Sequence, residues 1–136
     1  MKREGRLLII EGRGPWNLEA LKHSESRAQE ILKKLAGKPW GVIATIYGEP
    51  IHVPEAEQRL IDLVKQDISN GRVASALIVK ECDTPNFAKS HIGSIYEKAG
   101  CNVGYFDNFE EAKAWVEGII NSQNSSLSKS NTPKVR

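Results

Sequence analysis

The sequence has few residues of the kinds that build metal centres or disulfide frameworks. Its 136 residues include two cysteines and three histidines. Cys82 and Cys101 form no CxxC pair, and the histidines do not show the spacing of a metal-binding motif. We therefore expect no metal, no cofactor, and a reducing, cytoplasmic location. Cys82 follows one predicted parallel strand and Cys101 precedes the next, so they lie at opposite ends of the sheet, too far apart for a disulfide, and we expect two free thiols.

Long apolar runs and an excess of basic residues are also missing. The first apolar stretch, Leu7–Ile10, is too short for a signal-peptide core or a membrane span. The formal net charge is +2, and the last sixteen residues hold three basic residues and no acidic one. The rest of the chain is therefore close to neutral, so we expect neither a membrane span nor a nucleic-acid partner.

Four short apolar runs are typical of β-strands. They are RLLII (6–10), WGVIATI (40–46), VASALIV (73–79) and NVGYF (102–106). The middle two are almost continuously apolar and rich in β-branched residues, which is typical of parallel strands that are covered on both faces.

An amphipathic helical pattern follows each of these runs. The patterns extend over 18–35, 56–68, 88–99 and 109–119, with apolar residues at spacings of three and four. Asn17 and Thr84 are suited to start helices, and Gly37, Gly71 and Gly100 to end them. This alternation predicts an α/β fold of four βα units, with a mostly parallel four-stranded sheet and flanking helices.

One domain accounts for most of the chain. Residues 1–120 hold all eight predicted elements and are enough to bury a core. Residues 121–136 are polar and lack periodicity, so we predict that they form a disordered C-terminal tail.

The loops after the four strands are the predicted location of any function. Ligands in open α/β sheets bind outside the carboxyl ends of the strands, where these loops meet. Glu81 and Cys82 lie in one of them. Trp and Tyr are frequent anchors of interfaces. The candidate binding residues are Arg13, Trp16, Asn17, Tyr47, Glu49, His52 and Asp83.

Two of these loops contain partial motifs for phosphate binding or acid–base chemistry. GRGPWN (12–17) is superficially similar to a phosphate-binding G-x-G-x-x-G turn, but Asn17 replaces the third glycine and Pro15 removes a backbone donor. His52 beside Glu49 could form an acid–base pair, yet no nucleophile is positioned next to it.

A third loop places a thiol near a helix start. Cys82 precedes the helix that Pro85 opens, where the positive end of the helix would lower its pKa. Positions 83–90 contain no arginine that would complete a phosphatase-like loop. We expect no catalysis and keep an enzyme that uses Cys82 or His52 as an alternative.

Three longer segments occur in an order that is similar to that of a known superfamily. They are RLLIIEGRGPWNLEALKHSESRAQEIL, KPWGVIATI and KAGCNVGYFDNFEEAKAWV. Over about residues 6–120 they resemble the SpoIIAA-like, or STAS, superfamily, and GPWN, KPWGV and FEEAKAWV together resemble its bacterial STAS/SEC14-like proteins of unknown function. The resemblance implies a core of four βα turns and a binding role.

The resemblance also implies which feature is missing. In STAS anti-anti-sigma factors, the helix after the central strand begins with D-S-x-G, and a partner kinase phosphorylates the serine. The matching residues here are His52 to Glu55, and there is no Ser or Thr between Gly48 and Gln58. We therefore expect a non-catalytic regulatory domain that binds a protein partner, or a second copy of itself, without this switch. The SEC14-like relatives imply the alternative, a carrier of a small apolar ligand or a nucleotide.

Overall fold

The computed structural model describes residues 1–13, 18–48 and 54–131, and of residues 18, 20, 21 and 124–131 it describes the backbone alone. This part of the chain contains five strands and four helices, so the predicted α/β class is confirmed. In chain order they are β1 (Lys2–Glu4), β2 (Leu7–Arg13), α1 (Leu18–Leu35), β3 (Trp40–Tyr47), α2 (Pro54–Ser69), β4 (Arg72–Lys80), α3 (Pro85–Lys98), β5 (Val103–Tyr105) and α4 (Phe109–Asn131).

The sheet is mostly parallel, and its strand order follows the sequence, β1 to β5. Strands β2 to β5 are parallel and in register, with Leu8 beside Val42, Val42 beside Ser75, and Ser75 beside Val103. Right-handed crossovers between strands that advance in one direction place every connecting helix on the same side. Helices α1, α2 and α3 therefore share one face, and α4, which follows the last strand, covers the other.

The prediction of a four-stranded sheet was wrong by one strand. Strand β1 pairs antiparallel with β2, with Lys2 opposite Ile9 and Glu4 opposite Leu7. Its three residues, Lys2–Glu4, are charged and exposed, so the sequence carries no alternation that would indicate a strand. The pairing depends on the turn at Gly5, whose φ of 60° is a left-handed conformation that glycine adopts readily.

Alternate residues of the same strands build two separate cores. On the face of α1–α3, here called the three-helix face, the buried residues include Leu8, Val42, Leu77, Ile92 and Ile95. On the α4 face they include Leu7, Ile43, Ala74, Ile78, Ala112 and Val116. Both faces of the sheet are covered, which explains the nearly continuous apolar runs of β3 and β4.

The predicted helix ends at Gly37, Gly71 and Gly100 are confirmed, since each glycine follows a helix and has a positive φ. At the start of α4, the Asn108 side chain accepts a hydrogen bond from the Glu111 backbone N–H at 2.9 Å, as an N-cap residue does, and donates one to the Glu111 carboxylate. Pro85 occupies the first turn of α3, although Thr84 before it makes no side-chain capping bond. Gly71 has a φ of 113° and lies against the backbone of Lys38, where no other residue would fit.

Helix α4 continues past the predicted domain boundary. It extends from Phe109 to Asn131, into the segment for which disorder is predicted. The side chains of Ala112, Val116 and Ile120 anchor its first half on the sheet, and a helix that is already nucleated lengthens at little cost where no Gly or Pro intervenes. The division into a domain and a tail stays a prediction. None of the helices in the described ranges is long and apolar enough to cross a membrane.

Candidate functional site

The structure describes three of the seven predicted binding residues. Arg13, Tyr47 and Asp83 lie at the carboxyl ends of β2, β3 and β4 or in the loop that follows. Trp16, Asn17, Glu49 and His52 lie outside the described residues, so their predicted roles stay predictions.

Arg13 and Tyr47 are neighbours in the sheet. The strand register pairs them, and the Arg13 guanidinium lies 5.3 Å from the centre of the Tyr47 ring. Arg13 Nη2 also donates a hydrogen bond of 2.9 Å to Glu81 Oε1. The Arg13 and Glu81 side chains are 58% and 60% exposed, so this ion pair contributes less than about 1 kcal/mol to stability. Arg13, Tyr47 and Glu81 form what we call the carboxyl-edge patch.

Backbone geometry brings Glu81 to this patch. Its φ of 52° is in the left-handed region, which is unusual for a residue other than glycine. The Gly48 backbone N–H bonds to the Lys80 carbonyl oxygen at 3.0 Å, which joins the two loops next to it. Asp83 is exposed two residues farther along, and Cys82 is a half-buried free thiol.

The strand order removes one argument for a ligand site at this edge. Ligands in open α/β sheets bind where the strand order reverses and neighbouring loops separate. Between the parallel strands β2 to β5 the order never reverses. Any binding at the carboxyl-edge patch therefore depends on its side chains and not on a crevice in the sheet.

A groove continues from the patch onto the α4 face. It has a volume of about 510 Å³, and its lining mixes charged, aromatic and apolar side chains. The residues that line it are Met1, Lys2, Ile9, Glu11, Thr45, Tyr47, Ile78, Lys80 and Phe109. Phe109 is the first residue of α4, so the groove lies beside the start of this helix.

A smaller and more apolar cavity lies on the three-helix face. Its volume is about 160 Å³. The apolar part of its wall consists of Met1, Leu8, Ile10, Gly12, Ala28, Leu32, Ala44, Ile46, Leu60, Leu63, Val64, Ile92 and Tyr96. Ser24, Glu25, Asp67 and Arg72 are its polar lining residues.

The sequence of α1 explains why this space is not filled. Its apolar stripe passes from Leu21 to Ala28 without a large side chain, because the intervening positions on that face are Ser24 and Glu25. Across from α1, strand β3 contributes Ala44, a short side chain at the centre of the sheet. Small and polar residues on both walls leave a gap where a core of this kind normally has Leu or Ile.

A buried cation forms one part of the cavity wall. Arg72 is 6% exposed, and its Nη1 donates to Asp67 Oδ2 at 3.0 Å. Its Nε and Nη2 both donate to the Ser75 hydroxyl, at 3.0 and 2.7 Å. The guanidinium also lies 5.3 Å from the centre of the Tyr96 ring. Ser75 Oγ is in turn 3.1 Å from the Cys101 thiol, so a polar network occupies the amino-end side of the sheet.

Two carboxylates share this wall with Arg72. Burial raises the pKa of Asp67, the charge of Glu25 raises it further, and the Arg72 guanidinium offsets part of the change. Glu25 itself forms a two-point ion pair with the Arg59 guanidinium. Each carboxylate of the cavity wall therefore has a guanidinium partner, Arg72 for Asp67 and Arg59 for Glu25.

Sequence analysis missed this cavity, although two signals were present. Asp67 lies on the apolar stripe of α2, one turn from Leu63 and Val64, and a charged residue there is unusual unless it is paired. Arg72 begins a strand that is otherwise almost wholly apolar.

The described residues contain no cluster of His, Cys, Asp or Glu that could hold a metal ion.

Comparison of the chain with protein-family models, with curated proteins and with solved structures finds no match.

Proposed function

We propose that this chain is a SpoIIAA-like binding domain that takes up a small apolar molecule in the cavity on the three-helix face. The sequential order of β2–α1–β3–α2–β4–α3–β5–α4 supports the resemblance, since four successive βα turns are what it implies. The observation that carries the proposal is the cavity itself, an apolar space between the sheet and the helices.

The volume of the cavity sets the size of the ligand. An engineered apolar cavity of about 150 Å³ in another protein stays dry and binds benzene. Pockets for drug-sized ligands are larger, about 300–1,000 Å³. At about 160 Å³, this cavity matches a single aromatic ring or a short alkyl chain. A nucleotide is too large for it.

The apolar wall of this cavity is in part open to solvent, because Ser24 on its rim is exposed. An apolar ligand in the cavity would remove this wall from water, which is favourable. It would also gain dispersion contacts with the wall that water does not provide. The exposed apolar wall favours a binding role.

Toluene is a suitable first probe, because it is apolar and of matching size. We expect it to raise the thermal midpoint of the protein, as any ligand that binds only the folded state does. It should also shift the methyl NMR signals of Leu8, Val64 and Ile92. A midpoint and a spectrum that do not change at saturating toluene would contradict the proposal.

A variant that fills the cavity provides the matched test. Ala28→Leu places three more carbons in the gap on a helix that tolerates Leu, so we expect about 1–2 kcal/mol more stability and no toluene binding. Ala114→Leu makes the same change on an exposed position of α4 and should leave toluene binding intact. Equal binding by both variants would place the toluene elsewhere.

The second candidate function is binding of a protein partner at the carboxyl-edge patch. The contacts of Arg13 with Tyr47 and Glu81 favour this function. An arginine side chain that two neighbours already hold in place loses less conformational entropy when a partner binds. Arg13→Ala should weaken capture of a partner from native extract, whereas Arg27→Ala, an exposed change on α1, should not. Equal capture by the two variants would count against the patch.

A further inference from the structure

The polar part of the cavity wall identifies the chemical class of the ligand, an inference that rests on the proposed function. A purely apolar ligand would need only a purely apolar cavity. Here a buried guanidinium and a mostly buried carboxylate, Arg72 and Asp67, line the same space as Leu8 and Ile92. A ligand that fills the cavity meets both groups.

The donors of Arg72 are not all used. A guanidinium has five N–H groups. Bonds to Ser75 and Asp67 account for Nε–H and for one N–H on each terminal nitrogen. Within the part of the chain that the structure describes, one N–H on Nη1 and one on Nη2 have no hydrogen-bond acceptor. Arg72 is 6% exposed, so solvent gives these donors little compensation.

Asp67 offers the complementary group. Its Oδ2 accepts from Arg72, and no bond to its Oδ1 is found among the described residues. The two residues together therefore present donors and an acceptor at one place on the wall. A hydroxyl group both donates and accepts, so it satisfies the two residues at once.

The charges on the wall argue against an ionised ligand. Asp67 is paired with Arg72 and Glu25 is paired with Arg59, so neither carboxylate of the wall lacks a counter-charge. A carboxylate ligand would lose its hydration, approach both carboxylates and meet no unpaired cation. An ammonium group would lose its hydration and face the Arg72 cation. A neutral polar group avoids both costs.

We propose that the ligand is a neutral hydroxyl compound, with an apolar ring or short chain in the cavity and its hydroxyl group bound between Arg72 and Asp67. Short alcohols and simple phenols fit this description. The apolar wall supplies most of the affinity, and the polar wall selects the head group.

Three probes that share one ring test the head group: toluene, para-cresol and para-toluate, titrated calorimetrically at neutral pH. We expect para-cresol to bind about tenfold more tightly than toluene. This is the affinity ratio that corresponds to the net free energy of one hydrogen bond to a charged group. Para-toluate should bind at least about tenfold more weakly than para-cresol, because it is ionised. Para-toluate binding as tightly as para-cresol, or toluene as tightly as para-cresol, would overturn the inference and leave the proposed function standing. Binding of none of the three would overturn the proposed function as well.

Charge-neutralising variants separate the head-group effect from general stability. In Glu25→Gln the wall loses one negative charge, so the ratio of para-cresol to para-toluate affinity should fall several-fold. Glu30→Gln makes the same change on the same helix at an exposed position and should leave the ratio unchanged. Asp67→Asn should lower this affinity ratio further. If that variant does not fold, the comparison of Glu25→Gln with Glu30→Gln still tests the role of the wall charges. Equal ratios in those two variants would contradict the role of the wall charges.

Discussion

The two faces of the sheet use small residues for opposite purposes. On the α4 face, Gly41 lets the helix approach closely, and a Cβ at that position would overlap the Val116 side chain. On the three-helix face, Ala28 and Ala44 also have short side chains, but no neighbour fills the space beside them. The same strands contribute to both faces through alternate residues. The difference shows that a small residue in a strand leaves a gap only when the helix packed against it does not fill the space. Here α1 has the polar residues Ser24 and Glu25 at that place.

The two faces also differ in how they hold charge. The Arg72–Asp67 pair is mostly buried, with side chains 6% and 17% exposed. The Arg13–Glu81 pair, at the carboxyl-end edge beside the α4 face, is largely in solvent. Water stabilises the ions of the second pair without any partner, whereas the first pair depends on its own bonds.

The largest expected effect comes from breaking the buried pair. Arg72→Met leaves Asp67 without its partner in a desolvated site, and we expect a loss of about 3–5 kcal/mol in the free energy of unfolding. Urea denaturation measures it. The double variant Arg72→Met with Asp67→Leu should recover part of the loss, because no buried charge is left. A loss below 1 kcal/mol in the single variant would show that this wall is well solvated.

A smaller effect is expected from adding one methyl group to the tightly packed face. Gly41→Ala should destabilise by about 1–3 kcal/mol, because Val116 and the backbone oxygen of Ala74 leave no room. Gly118→Ala on α4 has open space around it and should stabilise by up to about 1 kcal/mol through helix propensity. An unchanged thermal midpoint in Gly41→Ala would show that the α4 face also has spare room, so that the two faces would not differ in packing.

The buried carboxylate should also give stability a distinctive pH dependence. The pKa of Asp67 is raised in the folded state, so the folded protein holds this proton to a higher pH than the unfolded chain does. Between the unfolded and folded pKa values, this group therefore lowers the free energy of unfolding as pH rises. Asp67→Asn should remove that slope, and the exposed Asp62→Asn on the same helix should keep it. Denaturation between pH 3 and 7 that showed parallel curves for wild type and Asp67→Asn would contradict this assignment.

The smallest effect is expected at the carboxyl-edge patch. Arg13→Met removes an ion pair and a contact with the Tyr47 ring, and both are exposed. We expect a stability loss of less than about 1 kcal/mol, further reduced at high salt. A loss comparable to that of Arg72→Met would remove the contrast between the two pairs.

Local patterns predicted the class and the four βα units because each signal is complete within a short window. The continuous apolar runs of β3 and β4 indicated strands covered on both faces, and Gly37, Gly71 and Gly100 indicated where α1, α2 and α3 end. Strand β1 could not be predicted in this way. Its residues gain their pairing from β2 and the turn at Gly5, and nothing in their own side chains favours a strand.

The amino-acid sequence by itself determined the alternation of strands and helices, the parallel direction of β2 to β5 and the predicted gathering of Arg13 and Tyr47 at one edge. These follow from periodicity and from short connections, which are local. Only the tertiary structure decided that α4 crosses to the other face, and that Ser24, Glu25, Asp67 and Arg72 surround one apolar space. A cavity is a property of several elements at once, because its volume depends on how closely their side chains approach across distances in sequence that no local pattern records.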